Sequence, residues 1–292
     1  MENDLVCGDG VAWLGARSAR SVHAVVTDPP FGGREFSEAA GDRRGGGRGA
    51  GTWRSPPSFG GSRRSPSPRF TDLSPKERAA LLAFFDRFAR AAAHALVPGG
   101  HLIAAATPLW AHVLAAKLEG AGLEPRGTII RLVRTLRGGD RPKGADREFP
   151  GVSSMPRSLH EPWLLFRAPL EGTLSENLRR WRAGALRRPT VDVPFPDVIL
   201  SGRTPKRERV IANHPNLKSQ HLMRQLVHAA LPLGRGSGLV VDPFCGGGST
   251  LAAARAVGYD AVTIELWPDT FAMATAAVPR LAALAVPLEL DP

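Results

Sequence analysis

The chain has only two cysteines, Cys7 and Cys245, among 292 residues. Two thiols at this length make neither a disulfide framework nor a zinc site, so no metal is expected and a reducing cytoplasm is the natural setting. No apolar run approaches the length of a membrane-spanning helix, and no membrane partner is expected. The opening Met1-Glu2-Asn3-Asp4 is acidic and polar and does not read as a secretory signal. No internal repeat is visible. Acid is also scarce: 27 Asp and Glu stand against 38 Lys and Arg, giving a net charge of +11 and a pI of about 10.9. That excess suits a polyanionic partner, although a basic, arginine-rich proteome would produce it too.

Hydrophobic residues make up 43% of the chain, ample for a core, and the length suits one α/β domain with insertions. Apolar runs alternate with helical periodicity. Val22 to Val26 reads as a buried strand, Ser74 to about Leu96 as a helix, and His101 to Ala106 as a strand. The helix should present Leu81, Leu82, Phe84, Phe85, Phe88, Ala92 and Leu96 on one face and stop at Pro98-Gly99-Gly100. Leu109 to Ala121 continues as a helix and Thr128 to Val133 as a strand. His160 to Phe166, Leu239 to Asp242 and Asp260 to Ile264 are further strands, with helices at Ser219 to Leu231, Ser249 to Val257 and Asp269 to Leu284. This βαβ rhythm predicts a mostly parallel sheet with helices on both faces.

Two strand ends carry chemistry. After Val26 the chain reads Thr27-Asp28-Pro29-Pro30-Phe31, where two prolines end the strand and stiffen a turn holding a carboxylate, a carbonyl and a ring. After Val241 it reads Asp242-Pro243-Phe244-Cys245-Gly246-Gly247-Gly248-Ser249-Thr250. A phosphate-binding P-loop would need Lys after the last glycine, and a dinucleotide fingerprint would need a further glycine where Leu251 stands. The remaining reading is a nucleoside cofactor without phosphates. Asp242 would repel a diphosphate but suits a cationic methionyl end, and Glu265, at the end of the next strand, can accept from ribose hydroxyls. Cys245 reads as a small filler. Asp9, in Cys7-Gly8-Asp9-Gly10, reads as a helix cap in a strand-to-helix turn. His160 and Glu161 read either as an acid/base pair or as loop residues entering a strand, the second being favoured.

Together with His214-Pro215-Asn216-Leu217-Lys218-Ser219, these stretches resemble the S-adenosylmethionine-dependent DNA amino-methyltransferases in their permuted, β-class motif order, with the catalytic motif first and the cofactor loop last. The resemblance covers the chain apart from 32–70 and 136–158. It implies a Rossmann-like methyltransferase sheet, S-adenosylmethionine as cofactor, and double-stranded DNA as substrate. Asp28, Pro29, Pro30 and Phe31 would be the catalytic turn. Asp9, Asp242, Pro243, Phe244, Gly246, Gly248, Glu265, His214 and Lys218 would bind the cofactor. The family's usual Lys-Pro is Lys218-Ser219 here, and its usual Tyr is Phe31. Asp28 and the Pro29 carbonyl would accept both hydrogens of an exocyclic amino group on a flipped base, freeing its lone pair for the methyl, while the base stacks on Phe31. Asp in the first motif position favours adenine N6 over cytosine N4. An RNA or protein methyltransferase of the same fold, and a non-catalytic DNA-binding relative, are the alternatives. At the family level a homodimer and a partner restriction endonuclease are expected, as in restriction-modification, with the enzyme associated with the nucleoid through DNA.

The chain is thus expected to be a single methyltransferase domain over 1–292, interrupted by three polar segments. The Gly/Arg-rich insertion 32–70, with Arg43, Arg44, Arg63 and Arg64, is expected to be a mobile loop that orders on DNA phosphates, or else a solvated insertion without function. The segment 136–158 is a polar loop. The segment 169–213 occupies the family's target-recognition place, and there Arg179, Arg180, Trp181, Arg182 and Arg207 are candidate DNA contacts.

Overall fold

In the computed structural model, residues 3–30, 75–133, 142, 144–145 and 147–286 are described. Phe31, the insertion 32–70 with Arg43, Arg44, Arg63 and Arg64, and part of 136–158 lie outside the described residues. The chain divides into two compact units, Met1–Pro29 with Asp86–Pro292, and Pro30–Phe85. The described part of the second unit is Pro30 and the first half of one helix, where the Phe84 and Phe85 rings stand 5.8 Å apart.

The elements run β1 (Asn3–Cys7), α1 (Gly10–Gly15), β2 (Val22–Thr27), α2 (Pro75–Ala95), β3 (Leu96–Ala105), α3 (Ala111–Gly120) and β4 (Glu124–Leu132). They continue with β5 (His160–Arg167), α4 (Leu174–Trp181), β6 (Val198–Leu200), α5 (Lys206–Ile211) and α6 (Gln220–Ala230), then β7 (Leu239–Asp242), α7 (Ser249–Val257), β8 (Asp260–Glu265) and α8 (Pro268–Ala282). All strands join one sheet in the order β1-β8-β7-β2-β3-β5-β4-β6. Only β5 opposes its neighbours, pairing antiparallel with β3 and β4, and every other pair is parallel. Strands β2 and β7 are short, branched apolar runs covered on both faces, and Val22, Val25, Val26, Val240 and Val241 are fully buried. Among the described residues no helix is long and apolar enough to cross a membrane.

This order sets the location of ligand chemistry. From β2 the chain moves outward to β3, while from β7 it moves the opposite way to β8. Strands β2 and β7 therefore flank a topological switch point, where the loops at their carboxyl ends diverge and leave a crevice. The Asp28 turn and the glycine loop are those two loops.

The helix before β3 ends at Ala95, about where its pattern put it, but β3 begins five residues before the expected His101. Leu96 opens β3, and Pro98-Gly99-Gly100 lies inside the strand as an irregularity, the register jumping from Val22↔Leu96 to Ala24↔His101. Proline and glycine within a strand mark such a bulge. Gly99 has φ +76°, and a Cβ there would run into the Asn177 amide nitrogen. Buried Asn177 donates to the carbonyls of Pro98 and Ala183 and accepts from the Glu171 N–H, tying α4 to the bulge. Leu82 is 36% exposed, because it stands one residue off the stripe that includes Phe88 and Ala92.

Helix α7 packs between α6 and α8. Arg224 of α6 donates to the carbonyls of Leu281, Ala282, Leu284 and Val286, satisfying the open end of α8.

Candidate active site

The two strand ends at the switch point are hydrogen-bonded to each other. Thr27 Oγ1 donates to Asp242 Oδ1 at 2.6 Å, the Phe244 N–H donates to the same oxygen at 3.0 Å, and Thr250 Oγ1 donates to Oδ2 at 2.5 Å. Asp242 is 2% exposed. Burial pushes its carboxyl up to about 6 against the pull of these donors, and the charge of Glu265 adds to the push. With three internal donors, the Asp242 carboxylate ties β7, the glycine loop and α7 to β2.

The loop itself presents bare backbone. Gly246 and Gly248 have φ +52° and +83°, where side chains are strained. A Cβ on Gly246 would stand 3.1 Å from His214 Cε1, and one on Gly247 would stand 2.7 Å from Leu217 Cδ1. His214 and Leu217 thus lie directly against the loop. At the end of β8, Glu265 accepts from the Gly246 N–H at 2.8 Å and the Trp267 N–H at 3.0 Å. Burial raises its carboxyl above the ordinary range. The Phe244 ring meets Phe88 edge-on at 5.4 Å. Cys245 is buried and its thiol is pushed far up, which suits a filler and not a nucleophile. Asp9 is exposed and caps α1 by accepting from the Val11 and Ala12 N–H groups. The next residue, Gly10, touches the Pro243 backbone so closely that a Cβ would collide with its carbonyl oxygen.

Asp28 stands at the end of β2 in a row of charges. Its Oδ2 lies 2.9 Å from Lys218 Nζ, and the same ammonium lies 2.9 Å from Glu161 Oε2. The side chains of Asp28, Lys218 and Glu161 are 18%, 11% and 21% exposed. Glu161 Oε1 in turn accepts from Trp163 Nε1 at 2.9 Å and meets the Arg131 guanidinium at 3.5 Å. Arg131 also donates to Ser201 Oγ and the Gly202 carbonyl. Lys218 Nζ lies 5.8 Å from the Trp163 ring centroid. Asp28 Oδ1 is buried with no hydrogen-bond partner among the described residues.

Burial pushes the Asp28 carboxyl up, to about 6. Lys218 opposes the rise, while Glu161 and Asp242 add to it. For Lys218 burial acts downward, but Asp28 and Glu161 outweigh it and hold the ammonium above its ordinary value. For Glu161 burial acts upward, but Lys218, Arg131 and Trp163 outweigh it and hold the carboxyl below the usual range.

Of the residues anticipated from sequence, Asp28, Pro29, Asp242, Gly246, Gly248, Glu265, His214 and Lys218 converge on one edge of the sheet, and Pro30 opens the second unit. Lys218 reaches the glycine-loop side only through its backbone, whose carbonyl accepts from Ser249 Oγ, while its ammonium sits on Asp28. Glu161, favoured from sequence as a residue merely entering a strand, belongs to the site. Its strand runs antiparallel, so the start of β5 lies beside the carboxyl end of β4, with Glu161 opposite Arg131. Leu266 and Trp267, each 46% exposed directly after Glu265, form an apolar surface that the sequence reading passed over.

The arginines divide by position. Arg207 is exposed in α5, shortly after β6, whose carboxyl end shares the Asp28 edge. Arg179, Arg180, Trp181 and Arg182 sit at the amino ends of the parallel strands, where Asn177 meets Pro98, and the structure does not bring them to Asp28. Glu171 holds two of them there, accepting from Trp181 Nε1 at 2.9 Å and pairing with Arg180 at 3.1 Å, and it also pairs with Arg20 at 2.6 Å.

Residues 160–275 match the family model N6_N4_Mtase, described as DNA methylase. The fold is similar to that of TTHA0409 from Thermus thermophilus, described as a DNA modification methylase and solved with S-adenosyl-L-methionine. That pair shares 21% identity over 96% of this chain and 95% of that one, with a TM-score of 0.57. The M1.HpyAVI–SAM complex is 16% identical over 94% and 98% of the two chains, with a TM-score of 0.53. The PvuII cytosine-N4-specific DNA methyltransferase is 13% identical over 97% and 92%, with a TM-score of 0.59. No curated protein matches the sequence. At these identities the solved structures speak for the fold, and residues 160–275 carry the sequence pattern of the N6/N4 DNA methylases.

Proposed function

We propose that this protein transfers the methyl group of S-adenosylmethionine to the exocyclic amino group of a base flipped out of double-stranded DNA, with adenine N6 as the target. The reading rests above all on Asp28 Oδ1, a buried acceptor with no partner among the described residues, just past β2 and next to the strand that carries the glycine loop. A buried, unpaired carboxylate oxygen is costly unless a ligand donor fills it.

The residues fit the cofactor. Gly246 and Gly247 let His214 and Leu217 pack directly on the loop backbone, which fixes the shape of the loop that would hold the ligand. Glu265 offers carboxylate oxygens for ribose hydroxyls, and exposed Leu266 and Trp267 give an apolar face for adenine. Asp242, occupied by three internal donors, acts by holding the loop and by its negative charge near a sulfonium. Bound there, S-adenosylmethionine supplies an electrophilic methyl group. The chain does the rest. Asp28 Oδ1 and the Pro29 carbonyl accept the two amino hydrogens, drawing the nitrogen toward a tetrahedral geometry and freeing its lone pair. As the N–C bond forms, the bond from that methyl to sulfur would break with its electron pair staying on sulfur, and one N–H proton passes to Asp28 and on to water. Holding both reactants in line accounts for much of the acceleration. Phe31 is the proposed stacking ring, and Arg207 with the arginines of 32–70 are proposed phosphate contacts.

Cytosine N4 is the second reading, favoured by the likeness in fold to the PvuII enzyme. Labelled methyl transfer to unmethylated genomic DNA, followed by nucleoside mass spectrometry, separates the two. N6-methyladenine supports the proposal. N4-methylcytosine keeps the mechanism and overturns the base assignment. Cofactor binding with no mark on any DNA overturns the substrate and redirects the search to RNA or protein.

A further inference from the structure

Lys218 is close enough to hydrogen-bond two carboxylates at once, and one of them belongs to the catalytic turn. An ammonium has three donors. One points at Asp28 Oδ2 and one at Glu161 Oε2, each at 2.9 Å. Glu161 is itself fixed from its other oxygen by Trp163 Nε1 and Arg131, and Arg131 is anchored on Ser201 Oγ and the Gly202 carbonyl. The row therefore runs from backbone at the end of β6, through Arg131 of β4 and Glu161 of β5, to Lys218 before α6, and ends on Asp28. The links are mostly buried, the two to Lys218 being the shortest, and among the described residues only the last group has a buried oxygen left over.

We propose that Lys218 is a positioning residue for Asp28: its ammonium, held by Glu161, occupies Oδ2 and leaves Oδ1 as the one carboxylate oxygen offered to the incoming amino group. This rests on the methyl-transfer reading for what approaches Oδ1, but not for the arrangement of Lys218 itself. Two consequences follow. Asp28 cannot rotate freely, because turning the carboxylate breaks a charge-assisted bond in a buried setting. Lys218 also keeps the carboxylate ionised beside two other acids, Glu161 and Asp242, as an acceptor of N–H groups must be. Glu161 is the counterweight, since without it Lys218 would have a single partner and several rotamers. Among the described residues, the charged groups facing Asp28 are Lys218, Glu161 and Asp242.

The test is Lys218→Met, which keeps the length of the side chain and removes the charge, beside Lys218→Arg and Glu161→Gln. The Lys218→Met protein is expected to bind S-adenosylmethionine within threefold of wild type by calorimetry, which also reports that it is folded. Methyl transfer should fall about 100-fold, the scale of losing one preorganised electrostatic group. The acidic limb of its pH profile should move to higher pH, because Asp28 loses the cation that opposes its protonation. Lys218→Arg should restore part of the rate, and Glu161→Gln should lower kcat with little change in KM. Independently of activity, the 13C titration of the Asp28 carboxyl without DNA should shift upward in Lys218→Met. A rate within threefold of wild type with an unmoved acidic limb overturns the proposal, and so does a loss that tracks cofactor affinity alone. Where wild type methylates no DNA, the functional reading falls. The carboxyl titration then decides the positioning role by itself: an upward shift supports it and an unmoved one overturns it.

Discussion

The hydroxyl of Thr27 donates to the carboxylate of Asp242 at 2.6 Å, joining two residues 215 positions apart. The bond couples the strand leading to Asp28 with the strand leading to the glycine loop. Thr27→Val keeps the shape and removes the donor. Asp242 keeps the Thr250 and Phe244 donors but loses one bond in a fully buried place. Stability should fall by about 1–3 kcal/mol, read from the midpoint of urea unfolding. An unchanged midpoint would show that the hydroxyl is dispensable to the strand pair.

Asp28 must be ionised to accept N–H groups, and burial raises its carboxyl to about 6. Its raised value means that protons bind as pH falls through this region. Methyl transfer should therefore fall about tenfold per pH unit below the midpoint and level off above it, since one ionisation controls the limb. Asp28→Asn should keep cofactor affinity, remove the limb and lose at least about 100-fold in rate. A full-strength rate in Asp28→Asn at any pH sinks the assignment of the catalytic turn.

Glu265 stands at the end of β8 and carries two backbone bonds of the loop. Glu265→Gln keeps an acceptor and removes the charge. Its affinity for S-adenosylmethionine should weaken about tenfold or more, the scale of a charged hydrogen bond. Titration calorimetry reads this directly. Affinity equal to wild type would move the ribose contact elsewhere.

The two groups of arginines should behave differently toward DNA. Arg207→Glu, on the Asp28 edge, should weaken binding and lower the salt slope by about one for a lost phosphate contact. Arg179→Glu with Arg180→Glu, at the opposite end of the sheet, should leave both within error. Fluorescence anisotropy across salt concentrations distinguishes them. The reverse pattern would place the DNA on the other end of the sheet.

Much of the central sheet was legible in the sequence, for local reasons. Val22 to Val26 and Leu239 to Asp242 are apolar runs stopped by proline or glycine, and both strands appear in the structure where their patterns put them. The glycine loop was legible because a missing Lys and a missing glycine exclude phosphate ligands. The bulge at Pro98-Gly99-Gly100 was not, since its reason is Asn177, far along the chain. Glu161 was undervalued for a related cause. A strand's residues are visible in its pattern, but its direction is set by which neighbours it pairs with. Because β5 runs against β3 and β4, its first residues, and not its last, arrive at the catalytic edge.

By itself, then, the sequence determined the strands, the two chemical turns and the absence of a phosphate-binding loop, because short-range periodicity and turn chemistry act over a few residues. The tertiary structure alone decided that Lys218 meets Asp28, that Glu161 holds Lys218, and that Arg179 to Arg182 stand away from the site. Those relations depend on strand order and direction. They arise from pairing between segments dozens to hundreds of residues apart, which no local pattern encodes.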